Sequence, residues 1–150
     1  SKLRAPFVLP HARAAPGLPP DTDPAGGPSA TGLIVNMLDQ RVRKLTPEFM
    51  TYTLAKMGLW ALTQTAAQGL APAIRVNAIG PGPTLPSYRQ TQDDFDTQVQ
   101  ALLLKRTPDL AAFTRTILYL ADTPSITGQM IALDGGQHLG WETPDQRAPE

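Results

Sequence analysis

The sequence predicts an α/β chain, built on part of a doubly wound parallel sheet, and three observations carry that prediction. Gly32–Leu38 and Ile74–Ile79 are short, almost unbroken apolar runs, the pattern of strands buried on both faces. A helical stretch from about Pro47 to Leu70 separates them, long enough for the crossover that parallel strands need. A third apolar run, Gln129–Leu133, follows two further helical stretches over residues 92–104 and 108–122. Strands and helices alternating at these lengths imply right-handed βαβ units.

Each element has its own local signals. Six prolines fall between Pro10 and Pro28, with Gly17, Gly26 and Gly27 among them. Proline lacks an N–H and fixes φ, so residues 16–31 read as an irregular segment. The preceding Leu3–Leu9 reads as a short helix that Pro10 cuts off. Thr46-Pro47-Glu48 is a helix-start signature: a hydroxyl cap, proline at the first helical position, an acid in the first turn. Phe49, Leu59, Leu62 and Ala66 are expected to line the buried side of that helix, and Pro72 ends it. Gly80-Pro-Gly-Pro-Thr84 is a stiff loop leaving the second strand, and Asp134-Gly135-Gly136 turns the chain after the third. The expected organisation is therefore a broken helix and Pro/Gly-rich segment over residues 1–31, the α/β unit over 32–141 and a polar tail over 142–150.

Composition narrows the function. The chain has 150 residues, of which 41% are hydrophobic, enough for one modest core. Thirteen basic residues balance thirteen acidic ones, so no broad field is available to hold nucleic acid or an anionic membrane. No stretch approaches the roughly 20 apolar residues of a membrane span. The chain has no cysteine, which excludes thiolate chemistry and suits a cytoplasmic protein without requiring one. His11 and His138 have no ligand partners at metal-binding spacing, so a metal site is not expected.

The residues that carry chemistry gather at the predicted strand ends, where open parallel sheets bind ligands. Tyr52 and Lys56 are four apart on the strong helix and therefore share a face. A phenol is a poor acid–base group near neutrality, but an adjacent ammonium favours its ionised form, so the pair is expected to lower the phenol's pKa and move protons to a carbonyl or imine. Tyr and Lys at this spacing also occur in many helices with no such role. Asp39 closes the first predicted strand, 13 residues before Tyr52; alone it reads as a turn residue or helix cap. Asp93, Asp94 and Asp96 read as a solvated helix start. Trp60 and Trp141 read as packing or interface residues. Tyr88, in the segment 85–104, reads equally as a platform for a flat ring or as an exposed loop residue.

Taken together these motifs resemble the short-chain dehydrogenase/reductase family. Tyr52-Thr-Leu-Ala-Lys56 matches its Tyr-x-x-x-Lys motif, Ala71-Pro-Ala-Ile-Arg-Val-Asn-Ala-Ile-Gly-Pro-Gly82 its strand and Pro-Gly loop, and Thr127-Gly128-Gln129 with Asp134-Gly135-Gly136 its closing strand and turn. Asp39 stands where many members have serine and, with Asn36-Met-Leu, is similar to pteridine and dihydromonapterin reductases. The resemblance covers about residues 32–141 and implies the C-terminal half of a Rossmann-like domain. It implies NADP or NAD as cofactor, Tyr52 as proton donor, Lys56 as the residue that lowers its pKa and holds the nicotinamide ribose, and Asp39 as a substrate-orienting or proton-relaying group. Pro81, Gly82, Pro83 and Thr84 match the loop over the nicotinamide, and segment 85–104 the mouth for a small-molecule substrate, a pterin-like C=N or a carbonyl. Members are commonly dimers or tetramers, so a homo-oligomer is implied, although Lys2 replaces the usual Asn of the interface helix and the proline run breaks that helix.

One part of the family pattern is missing. No G-x-G-x-x-G or related turn follows any strand, and that turn is what seats a dinucleotide pyrophosphate at a helix N-terminus. The chain reads as truncated, with the Leu33–Leu38 strand expected to present a bare sheet edge. An NAD(P)H-dependent oxidoreductase is the leading expectation. A non-catalytic fragment serving as an interaction module is the alternative, and a small-ligand binder without turnover is a third.

Overall fold

A computed structural model describes residues 7–10, 27 and 30–143. Its centre is a four-stranded sheet, β1 (Phe7–Pro10), β2 (Gly32–Met37), β3 (Ile74–Pro81) and β4 (Met130–Leu133), in that spatial order. Strands β2, β3 and β4 are parallel, with Val35 opposite Asn77 and Ala78 opposite Met130. The three apolar runs are thus the three parallel strands, and β3 is buried at six consecutive positions, as a strand covered on both faces must be.

Helix α1 (Met50–Leu70) connects β2 to β3, while α2 (Gln92–Gln100) and α3 (Leu110–Asp122) lie between β3 and β4. Alternation along the strands sorts side chains to two layers. On one face Leu33, Val35 and Ile79 pack with Leu120, backed by Phe113 and Ile117 of α3. On the other, Leu38, Ala78 and Met130 pack with Leu59 and Trp60 of α1, which gives Trp60 the packing role expected of it. Polar side chains pin both layers. Asn36 donates to the Thr63 hydroxyl (2.9 Å), which donates to the Leu59 carbonyl (2.8 Å). Buried Arg75 donates to the carbonyls of Leu120, Thr123 and Ile126 at 2.7–3.1 Å, closing the C-terminal end of α3.

Several local expectations are corrected. Phe7–Pro10 is an antiparallel strand, Phe7 opposite Val35 and Pro10 opposite Gly32, where a helix over residues 3–9 was expected; residues 3–6 lie outside the described part. An edge strand tolerates proline because one row of its backbone groups needs no ladder partner. The β2 edge expected to be bare is therefore paired. Helix α1 begins at Met50 rather than Pro47, because Phe49 takes a left-handed conformation (φ 57°, ψ 44°) that breaks the turn, and it has no side-chain cap bond. Its buried residues are Thr63 and Ala67, while Phe49 and Leu62 are 59% and 57% exposed. Helix α2 stops at Gln100 rather than 104. It opens on a reciprocal Thr91–Asp94 capping box, so the acidic cluster is a helix start, and hydrogen bonds from Thr91 hold the Asp94 carboxyl below its ordinary range. The irregular segment at 16–31 and the polar tail lie largely outside the described residues.

Candidate active site

Tyr52 and Asp39 meet because a strand end and a helix start converge. Strand β2 delivers Asp39 at its C-terminal end, and Asp39 caps a single 3-10 turn (Gln40–Val42) by accepting from the Arg41 N–H at 2.8 Å. Its other oxygen accepts from the Tyr52 hydroxyl at 2.9 Å. Asp39 is thus both the cap that its position alone suggested and a partner of the phenol. One turn further along α1, Lys56 donates to the Met37 carbonyl at 2.9 Å, with its Nζ 5.5 Å from the centre of the Tyr52 ring. Asp39, Tyr52 and Lys56 are brought together as one constellation, and Tyr52 remains 38% exposed, enough for a ligand to reach its hydroxyl.

The electrostatics run opposite to the expectation drawn from spacing. Partial burial, the charge of Asp39 and its hydrogen bond push the Tyr52 phenol up to about 12, and the cation that pulls against them is Arg41. Lys56 does not lower it, because its ammonium is turned to the Met37 carbonyl while the carboxylate sits directly on the hydroxyl. Burial lowers Lys56 itself, and Asp39 opposes that shift. At neutral pH Tyr52 is a protonated donor held in place, not a phenolate.

The Pro-Gly loop lies beside this group at the end of β3. Gly80 and Pro81 finish the strand, and the Gly82 N–H donates to the Leu133 carbonyl of β4 at 3.0 Å. A Cβ at Gly82 would fall 2.7 Å from the Cα of Asp134, so only glycine allows the two strand ends to touch. Thr84 donates back to the Gly82 carbonyl at 3.1 Å, tightening the turn around Pro83. Asp134, 3% exposed, accepts from the N–H groups of Gly136 and His138 and from His138 Nδ1 at 2.6 Å, fixing the turn after β4.

The donor set fits the nicotinamide-ribose end of a dinucleotide. An ammonium has three donors, and Lys56 gives one to Met37, leaving two for ribose hydroxyls. The pyrophosphate end has no counterpart, since no glycine-rich turn joins a strand to a helix among the described residues. A cleft of about 370 Å³ lies elsewhere, among Arg106, Asp109, Arg115, Asp134 and His138. It has an exposed Asp109–Arg115 ion pair at its rim, and none of Asp39, Tyr52 or Lys56 lines it. Tyr88 is 89% exposed, the plainer of its two readings, and Trp141 is exposed as well. No group of metal ligands occurs among the described residues, and no helix there is long and apolar enough to cross a membrane. Sequence reasoning missed Arg41, which lies over the Tyr52 ring, and the contact of Phe49 with the same guanidinium; the one available signal was the spacing of Arg41 two residues beyond Asp39, where an Asx cap takes its N–H.

Comparison with known proteins agrees with this fold. A family model described as enoyl-(acyl carrier protein) reductase matches residues 25–138. The chain is 33% identical over 109 residues to a dihydromonapterin reductase of Citrobacter koseri, covering 71% of this chain and 44% of that one. A dihydromonapterin reductase of Escherichia coli is 31% identical over the same length. Among solved structures, FolM alternative dihydrofolate reductase 1 of Brucella canis, complexed with NADP, superposes with a TM-score of 0.75 at 60% identity, covering 85% of this chain and 48% of that one. The corresponding protein of Brucella suis, also with NADP, gives the same TM-score and identity. The chain thus spans about half the length of the relatives it matches. The parallel sheet, the Tyr52–Lys56 helix, the Pro-Gly loop and these matches make the chain a member of the short-chain dehydrogenase/reductase family.

Proposed function

We propose that residues 32–141 are the catalytic half of an NADP-dependent reductase acting on a dihydropterin-like C=N or a related carbonyl. The observation that carries this reading is the Tyr52–Asp39 hydrogen bond of 2.9 Å beside Lys56, at the C-terminal end of a parallel strand. The names of the relatives support the substrate class and the cofactor. A nicotinamide cofactor, when bound, supplies the hydride to the carbon of the double bond.

This chain's residues do the rest. The electron pair of the double bond moves to the nitrogen or oxygen, which takes the Tyr52 proton. A phenol held near 12 is fully protonated at neutral pH, as a donor must be. Asp39, already hydrogen-bonded to the hydroxyl, orients it and relays a proton from solvent to restore the phenol. Lys56 holds the ribose hydroxyls with its two remaining donors. Pro81, Gly82, Pro83 and Thr84 form a stiff wall against the nicotinamide. Dihydropterin reduction followed through NADPH consumption tests the reading: Tyr52→Phe is expected to lose at least a hundredfold in kcat, the scale of general-acid catalysis, with an unchanged circular dichroism spectrum. Full turnover by Tyr52→Phe would remove Tyr52 from the chemistry.

A further inference from the structure

Arg41 occupies a place that the catalytic reading does not explain. Its Cζ lies 5.0 Å from the centre of the Phe49 ring and 6.0 Å from that of Tyr52, so one guanidinium serves both rings. Its backbone N–H is bonded to the carboxylate that holds the Tyr52 hydroxyl. Its Nε is buried and has no hydrogen-bond partner among the described residues, so no hydrogen bond there competes with the ring contacts. The Phe49 ring is set by a left-handed backbone at φ 57°, a conformation that a bulky residue rarely adopts. The strained residue and the orphaned N–H thus meet at the same cation, beside the phenol.

We propose that Arg41 is a positioning residue for the proton donor: held against the Phe49 and Tyr52 rings and tied to Asp39 through its own N–H, it fixes the phenol at the carboxylate and offsets the negative field that Asp39 places there. The charged groups facing Tyr52 are Asp39 after β2, Arg41 in the 3-10 turn and Lys56 on α1. Of these, Arg41 is the one acting to ease ionisation of the phenol. Arg41 thus opposes, in part, the hold that Asp39 has on the phenol proton. The inference rests on the reading of Tyr52 as proton donor, but its test does not require turnover.

The test is fluorine NMR of the full chain with fluorotyrosine at Tyr52, Tyr88 and Tyr119, the Tyr52 resonance being assigned from its loss in Tyr52→Phe. The fluorinated phenol is more acidic than tyrosine, which brings its titration into an accessible range. Arg41→Met keeps length and backbone bond and removes the cation; its Tyr52 midpoint is expected to rise by about half a pH unit, the effect of a partly exposed cation over a ring. Arg41→Lys is expected to restore most of the difference, which a merely structural role would not produce. Phe49→Leu, which loosens the guanidinium, is expected to give a smaller rise, and it decides the matter if Arg41→Met fails to fold. An unmoved midpoint in Arg41→Met, equal midpoints in the Met and Lys variants, or an unmoved midpoint in Phe49→Leu would overturn the proposal. A shifted midpoint without dihydropterin reduction would sink the proposed function and leave only the coupling of Arg41 to the phenol; turnover with no shift would sink the role of Arg41 and leave the proposed function.

Discussion

The chemistry of the site turns on one carboxylate. Asp39 places a negative charge and a hydrogen-bond acceptor on the Tyr52 hydroxyl, and both hold the proton on the phenol. Replacing Asp39 with Asn keeps an acceptor and removes the charge, so the Tyr52 midpoint is expected to fall below about 12, while burial, the largest cause of the rise, keeps it above the ordinary tyrosine value of about 10. Fluorine NMR or phenolate absorbance reads the change. A stability effect follows from the same linkage. Between about 10 and 12 the folded chain keeps a proton that the unfolded chain has lost, so the stabilisation is complete below that window and disappears as pH rises through it. Urea unfolding midpoints measured against pH are expected to fall less steeply there for Asp39→Asn than for the wild type. The constellation itself was legible in the sequence, because a strand end and an i, i+4 pair fix where three side chains point. The sign of the phenol's shift was not, because it depends on whether carboxylate or ammonium lies nearer the oxygen, and that is settled by the Lys56–Met37 bond.

At the scale of elements, β2 and β3 were readable from their unbroken apolar runs, and α3, expected over residues 108–122, opens on Asp109, which caps it by accepting from the Ala112 N–H. The start of α1 was misread because Thr46 and Pro47 carry every local signal of a helix start, while the left-handed Phe49 delays it. The buried stripe of α1 was misread for a related reason. Thr63 is buried because it bridges Asn36 and the Leu59 carbonyl, and hydropathy gives no sign of such a partner. Where strand ends meet, glycine is an element-level requirement. Gly82→Ala would drive a Cβ to 2.7 Å from the Asp134 backbone, and strain of this kind costs about 1–3 kcal/mol. Denaturant unfolding is expected to register that loss, together with a weakened site, since the loop through Thr84 would have to move.

Over the whole molecule, the sheet joins two helical layers and carries the site at one end. Asp39, Gly82 and Asp134 follow the C-terminal ends of β2, β3 and β4 in turn, so the packing that aligns the strands also aligns the chemistry. Leu120, fully buried, is the α3 residue at the centre of one layer. Leu120→Ala is expected to cost about 2–5 kcal/mol by leaving a cavity, seen as a lower urea midpoint, with the Tyr52 resonance shifting only if the sheet itself repacks. The antiparallel β1 was not legible, because its place on the β2 edge comes from pairing across the sheet, while locally Pro10 reads as the stop of a short helix. Tyr52 and Lys56 are proposed as the nicotinamide end of a cofactor site. Calorimetry of NADPH with the purified chain and with Lys56→Met tests it most directly. Saturable binding by the wild type, weakened at least tenfold in Lys56→Met, is the predicted result; no binding, or equal binding by both, would contradict it.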